Sequence, residues 1–378
     1  MANILILGGG FGGLMTAEHL SKSLGGGNSH RVTLVSPKDK FTFYPALVRL
    51  AFGDCDADDI SFDLPEKLND LNVRFVQGEV IKLNLNLKQV QVTGKDFDGE
   101  ISYDYLVIAV GRRLATEKIG GFFEHAHHLL GVSAALKFGA AVKSFEQGHI
   151  VVGLAPEALL PVPVCETAFA LAKEFEPEIA KQEISVSVVF PETVKTAFGG
   201  ADLHLKLEKA FAKHHIKVIT DFAVKEITEK AIVSESEQKI DYDLLMLLPP
   251  FRGQAMLGND GITDESGFVV VDNFLRVSNL EKVYAVGDIA AFTGPKLAFM
   301  AVREAQVAAA NIVSELHGGI ARKIYNHDIA LIIDEGGEDA IYLHYGIWDD
   351  TLHGLKEGKM WSRMKNKHNQ LWEVVRNG

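Results

Sequence analysis

Apolar residues fall into short runs separated by glycine-rich or polar turns, and two of these runs are followed by helical spacing. Ile4-Leu5-Ile6-Leu7 is a short run of the kind a buried parallel strand shows. Leu14, Ala17 and Leu20 then recur at helical spacing, and Val32-Thr33-Leu34-Val35 reads as a second strand. The pattern repeats downstream. Tyr103 to Val110 reads as a strand, as do His149 to Val152 and Ile184 to Phe190. Val283 to Val286 is another short strand, and helical spacing extends from about Ala298 to Leu316. Strands alternating with helices predict an α/β fold with parallel sheets. At 378 residues the chain needs two or three cores.

The turn after the first strand carries the chemistry. Gly8-Gly9-Gly10-Phe11-Gly12-Gly13 is a G-x-G-x-x-G turn between a strand and a helix, inside a βαβ unit of the expected size. Gly8 allows the tight turn, Gly10 lets backbone approach a pyrophosphate, and Gly13 lets helix and strand pack closely. The free N–H groups and the dipole of the helix N-terminus favour the phosphates. Ser36 stands where an acidic residue usually binds a ribose hydroxyl; it offers a weaker hydrogen bond.

Composition excludes several classes. Nearly half the residues are apolar, and 38 basic against 50 acidic residues leave a net charge of -12, so no nucleic-acid partner is expected. Cys55 and Cys165 are too few for a disulfide framework. The first residues show no leader pattern and no apolar run reaches the roughly 18 residues of a spanning helix. A cytoplasmic protein is expected, with any membrane contact peripheral. His125, His127, His128, His214 and His215 lack the companions of a ligand set, so no metal is expected.

Two more segments bear on the cofactor. The strand ending at Gly111 looks like the Ala-Thr-Gly crossover of two-dinucleotide flavoproteins. Val283-Tyr284-Ala285-Val286-Gly287-Asp288 resembles their second FAD fingerprint, whose aspartate meets the ribityl and pyrophosphate end of the flavin. With Phe41 to Leu47, Leu247 to Gly253 and Pro295 to Met300, the chain resembles the sulfide:quinone oxidoreductase branch of these flavoproteins over residues 1 to about 340. That branch includes flavocytochrome c sulfide dehydrogenase and, more distantly, type II NADH dehydrogenase. The resemblance implies two Rossmann-like domains plus a C-terminal module: an FAD domain over 1–112 and 240–315, an inserted domain over 113–239, and a module over 316–378. It implies FAD held by Gly8, Gly10, Phe11, Gly13, Ser36, Pro45, Val80, Gly111, Gly287, Asp288 and Lys296. Lys296 and the helix after it would stabilise negative charge on the reduced ring. Glu166 would relay protons to a quinone or, on the alternative reading, cap a helix.

The family's redox cysteines are missing. The stretch 120–135 has none, and the other two matching positions carry Leu160 and Leu331. Cys165 is a candidate redox thiol, with a packed apolar side chain as the alternative. At the start of the inserted domain Gly153-Leu154-Ala155-Pro156-Glu157 replaces a second glycine fingerprint, which disfavours NADH. The expectation is an FAD-dependent quinone reductase with an unidentified donor. The alternatives are a type II NADH:quinone oxidoreductase and a flavoprotein subunit with a protein acceptor. A homo-oligomer is expected as well.

The last segment, from Asp350, holds six basic and three acidic residues. Trp361, Met364, Leu371, Trp372 and Val375 recur at near-helical spacing, a pattern suited to an anionic membrane surface or to packing on the body.

Overall fold

A computed structural model describes residues 1–25, 30–95, 97–258 and 261–377, with side chains to 367 and at 369. Two parallel sheets dominate. In the first, five strands run in the order Val283–Ala285, Tyr105–Ile108, Ala2–Leu7, His30–Ser36 and Arg74–Gln77. Their central side chains are buried on both faces, which is why they read as continuous apolar runs. The order reverses between Ala2–Leu7 and Tyr105–Ile108, and ligands of such sheets bind at that switch point.

The helix Phe11–Leu24 covers one face and packs along the helix Ala298–Leu316. Glycines bring its first turn close against the strand ends. A Cβ on Gly12 would lie 3.2 Å from the Val286 carbonyl oxygen, and one on Gly13 only 1.9 Å from that of Gly8.

The second sheet runs Ile216–Ile219, Ile184–Val189, Gly148–Leu154 and Leu244–Leu248, all parallel. Leu244–Leu248 corrects the boundary at 240 read from the sequence. This strand pairs with Gly148–Leu154, so it belongs to the inserted domain. The chain crosses back where Phe251–Arg252 pairs with Arg113–Leu114. A fully apolar strand fits either sheet equally well, and only its hydrogen-bond partner assigns it.

The C-terminal module is an antiparallel sheet of Asp328–Asp334, Ala340–Gly346 and Thr351–Glu357, followed by the helix Lys359–Asn377. No helix among the described residues is long and apolar enough to cross a membrane.

Candidate active site

Gly8 sits between the two central strand ends with φ +108°, and a Cβ there would lie 2.1 Å from the Ala109 oxygen. Gly10 is different: it precedes the helix in extended conformation, and a Cβ would meet nothing within 4 Å. The approach to its backbone is open, as a phosphate site needs. Phe11 turns away and packs edge-on against Phe41 and Phe43, with ring centroids 5.0 and 5.8 Å apart, which anchors the aromatic segment leading to Pro45. Ser36 ends the neighbouring strand beside Gly9, but its hydroxyl already donates to the Lys38 carbonyl at 2.9 Å. Val80 is a core side chain on the strand Glu79–Asn84, paired across that small sheet with Val92.

Gly111 and Gly287 both adopt left-handed φ, 65° and 78°, at the ends of adjacent strands. Between them lies an ion pair that sequence reasoning missed. Arg112 contacts the Asp288 carboxylate and stacks 4.0 Å over the Phe251 ring. Burial pushes the Arg112 guanidinium down to about 10, and its buried Nε has no hydrogen-bond partner. A cation one residue after the crossover glycine was the available signal.

Lys296 is buried, not exposed to solvent. Its Nζ donates to the Ala290 carbonyl and lies 4.8 Å from the Phe268 ring centre, while its backbone N–H donates to the Leu159 carbonyl at 2.7 Å. The helix after it, Ala298–Leu316, brings Glu304 underneath. Buried positions 301, 304, 305, 308, 311 and 312 form one stripe, and Glu304 is its one acidic member. The Glu304 carboxylate accepts the Gly287 N–H at 2.5 Å.

The turn after Gly148–Leu154 has a different build. Gly153 is the strand's own penultimate residue, and a Cβ there would meet Leu247 at 2.7 Å. Glu157, with φ +60°, binds Arg252 at 2.5 and 2.6 Å and Lys118 at 2.6 Å. Against the upward push of burial, these two cations hold its carboxyl below the ordinary value. The following helix, Pro161–Glu174, begins Pro161-Val162-Pro163, so two of its first three residues have no N–H to offer a phosphate.

On that helix Cys165 is fully buried, and burial pushes its thiol far up. Both cysteines are free. Cys165 is therefore a packed side chain whose burial disfavours the thiolate, with no cation among the described residues to offset it. Glu166 beside it caps nothing. It accepts the Asp334 N–H at 2.9 Å and contacts the Lys365 ammonium from the C-terminal helix. Lys365 also donates to the Ile332 carbonyl at 3.3 Å, with its side chain 16% exposed. Burial, helped by Arg49, pushes Lys365 down to about 7. The positions matching the family cysteines lie on the same elements as this pair's contacts: Leu160 is the N-cap residue of the helix carrying Glu166, and Leu331 precedes Ile332.

Of the two readings of the tail, packing on the body is the one that Trp361 and Lys365 follow. Trp361 stacks on Tyr342 at 4.1 Å, and Ser362 donates to the Asp334 carboxylate at 3.0 Å. Met360 and Met364 face outward. The side chains of Leu371, Trp372 and Val375 lie outside the described residues.

Two parallel Rossmann-type sheets, the first with an open glycine turn at its central strand end, define the class of two-domain dinucleotide oxidoreductases. The pyridine nucleotide-disulphide oxidoreductase family matches residues 2–305, and the chain belongs to that family: it is a flavoprotein-type oxidoreductase. It is 27% identical over 363 residues to a sulfide-quinone reductase of Aquifex aeolicus, covering 89% of this chain and 82% of that protein. It is 25% identical over 351 residues to ferroptosis suppressor protein 1 of Xenopus laevis, covering 89% and 87%. Against a type II NADH:quinone oxidoreductase of Staphylococcus haemolyticus the figures are 21% over 368 residues, 91% and 90%. Among solved structures, the sulfide:quinone oxidoreductase of Aquifex aeolicus matches with a TM-score of 0.91 at 24% identity, over 100% of this chain and 92% of that one. The Plasmodium falciparum NDH2 bound to NADH matches with a TM-score of 0.77 at 17% identity, over 99% and 96%. These likenesses establish the fold.

Proposed function

We propose that the chain is an FAD-dependent quinone reductase whose electrons come from a donor other than a nicotinamide held in the second domain. The observation that carries this reading is the contrast between the two turns. At Gly10 the backbone is open and leads into a helix N-terminus, whose dipole favours a phosphate. At Glu157 a carboxylate bound by Arg252 and Lys118 occupies the equivalent corner, above a helix start lacking two donors.

The residues present fit FAD. Gly10 and the start of the helix Phe11–Leu24 would hold the pyrophosphate. Asp288 and Arg112, with an unpartnered Nε, would meet the ribityl region, and Pro45, Gly111 and Lys296 would border the ring. When bound, a reduced flavin supplies both electrons and one of the two protons that turn a quinone into a quinol. Glu166 is suited to manage the remaining proton, because Lys365 and the Asp334 N–H hold its carboxylate at the junction of the second domain and the C-terminal module. Sulfide oxidation through a thiol pair lacks support: leucines occupy the matching positions and Cys165 is sealed.

Anaerobic spectroscopy tests the reading. NADH and sulfide should each bleach the purified flavoprotein slowly or not at all. The dithionite-reduced protein should be reoxidised rapidly by a short-chain ubiquinone. Rapid bleaching by NADH would shift the assignment to a type II NADH:quinone oxidoreductase. Failure of the quinone to reoxidise the protein would favour a protein acceptor.

A further inference from the structure

Beneath the Gly287–Asp288 turn lies a small cavity bordered by Phe292, Pro295, Lys296, Met300, Glu304 and His327. Its floor is a buried polar chain. The Tyr325 hydroxyl hydrogen-bonds the Glu304 carboxylate and lies 3.2 Å from His327 Nδ1, while His327 Nε2 bonds the Thr293 carbonyl at 2.7 Å. Glu304, Tyr325 and His327 are each at most 3% exposed, and Lys296 is 7% exposed. Burial raises the Glu304 carboxyl to about 7, opposed by Lys296, the Gly287 N–H and Tyr325. Burial lowers the Lys296 ammonium to about 8, opposed chiefly by Glu304. Asp264 raises Lys296 and Arg112 lowers it, and Asp288 is the remaining carboxylate at this turn. A neutral amide would serve the Gly287 N–H as well as a carboxylate does, so the charge of Glu304 answers to the buried Lys296 ammonium and not to the turn. The ionisable group therefore calls for a role beyond fixing the turn.

We propose that Glu304 takes up a proton when FAD bound at the first glycine turn is reduced, so that Lys296 and Glu304 act as one charge-compensating unit beside the cofactor. The inference rests on the FAD reading above. Two electrons and one proton added to FAD leave one extra negative charge at the ring. A second proton, drawn from water onto the Glu304 carboxylate, cancels it while Lys296 keeps its charge, giving two protons per two electrons. Above pH about 7 the oxidised protein holds Glu304 ionised and the second proton is taken up on reduction; below that pH Glu304 is already protonated and only one is. Glu304 acts through Lys296 and Gly287, so it is a positioning residue.

The test uses the full chain loaded with FAD, in an anaerobic redox titration from pH 6 to 9 and in reduced-minus-oxidised infrared difference spectra. The wild type should show a midpoint potential whose pH dependence steepens from one to two protons per two electrons above pH about 7. It should also gain a protonated-carboxyl band on reduction. Glu304→Gln keeps an oxygen for the Gly287 N–H; it should abolish that band, while Asp264→Asn, at a carboxylate outside the cofactor residues, leaves it. A one-proton slope throughout in the wild type, no carboxyl band, or a band that survives in Glu304→Gln would each overturn the proposal. The wild-type measurements decide the matter even if Glu304→Gln does not fold. A chain that takes up no FAD fails at the earlier step and overturns the FAD reading itself.

Discussion

Gly10 and Gly13 stand three residues apart, and adding one methyl group to each has different consequences. Gly10→Ala places its Cβ in open space, so folding should be unchanged while FAD affinity falls about tenfold or more, a loss near 1.4 kcal/mol. Gly13→Ala drives its Cβ against the Gly8 carbonyl at 1.9 Å, costing about 1–3 kcal/mol or more. Fluorescence titration with FAD and thermal melts of the apoprotein separate the two effects; equal melting losses would refute the assignment of Gly10 to the phosphate. Cys165→Ala removes one buried atom, with a stability cost of about 1 kcal/mol. It should leave quinone-linked reoxidation unchanged, and iodoacetamide should not label Cys165 in the native protein. Loss of reoxidation in Cys165→Ala would restore the redox reading of that thiol. The places of these glycines were readable from the sequence because their spacing puts them in a strand–turn–helix. The burial of Cys165 was not, since a cysteine beside a helix start looks the same whether sealed or exposed.

Among the elements, the C-terminal helix changes most between sequence and structure. Its amphipathic spacing is genuine, but one side of it closes on the body through Trp361, Ser362 and Lys365. Deleting residues 359–378 would strip Glu166 of its cation and uncover Tyr342. Reoxidation by the quinone should slow by about ten- to a hundredfold, and the melting temperature should fall. Lys365→Met should reproduce the kinetic loss with a smaller stability change. If Lys365→Met reoxidises at the wild-type rate, Glu166 does not need this partner. At the turn carrying Glu157, where the sequence lacks a glycine fingerprint, a carboxylate is bound by two cations. Its carboxylate is 45% exposed, so its ion pairs contribute about 0–1 kcal/mol, and Glu157→Ala should be nearly neutral for stability. NADH should still fail to bleach that variant, because Pro161 and Pro163 remain; bleaching would show that Glu157 alone had closed the site.

For the whole molecule, the outward Met360 and Met364 and the cations of the same helix leave a lipid-facing role open to one side of the C-terminal module. Flotation on vesicles containing anionic lipid should drop when both methionines become serine, with FAD content intact; unchanged flotation would remove the membrane surface from the partners. By itself, the sequence determined the α/β class, the glycine turn between strand and helix, and the absence of the family's thiols. Each of these depends on local spacing or residue identity. Tertiary structure decided which sheet owns Leu244–Leu248, which carboxylate faces Arg112, and that Glu304 and Lys365 pack against Gly287 and Glu166 instead of pointing to solvent. Those facts depend on contacts between residues as much as 199 positions apart, as for Lys365 and Glu166, and no local pattern along the chain encodes such pairs.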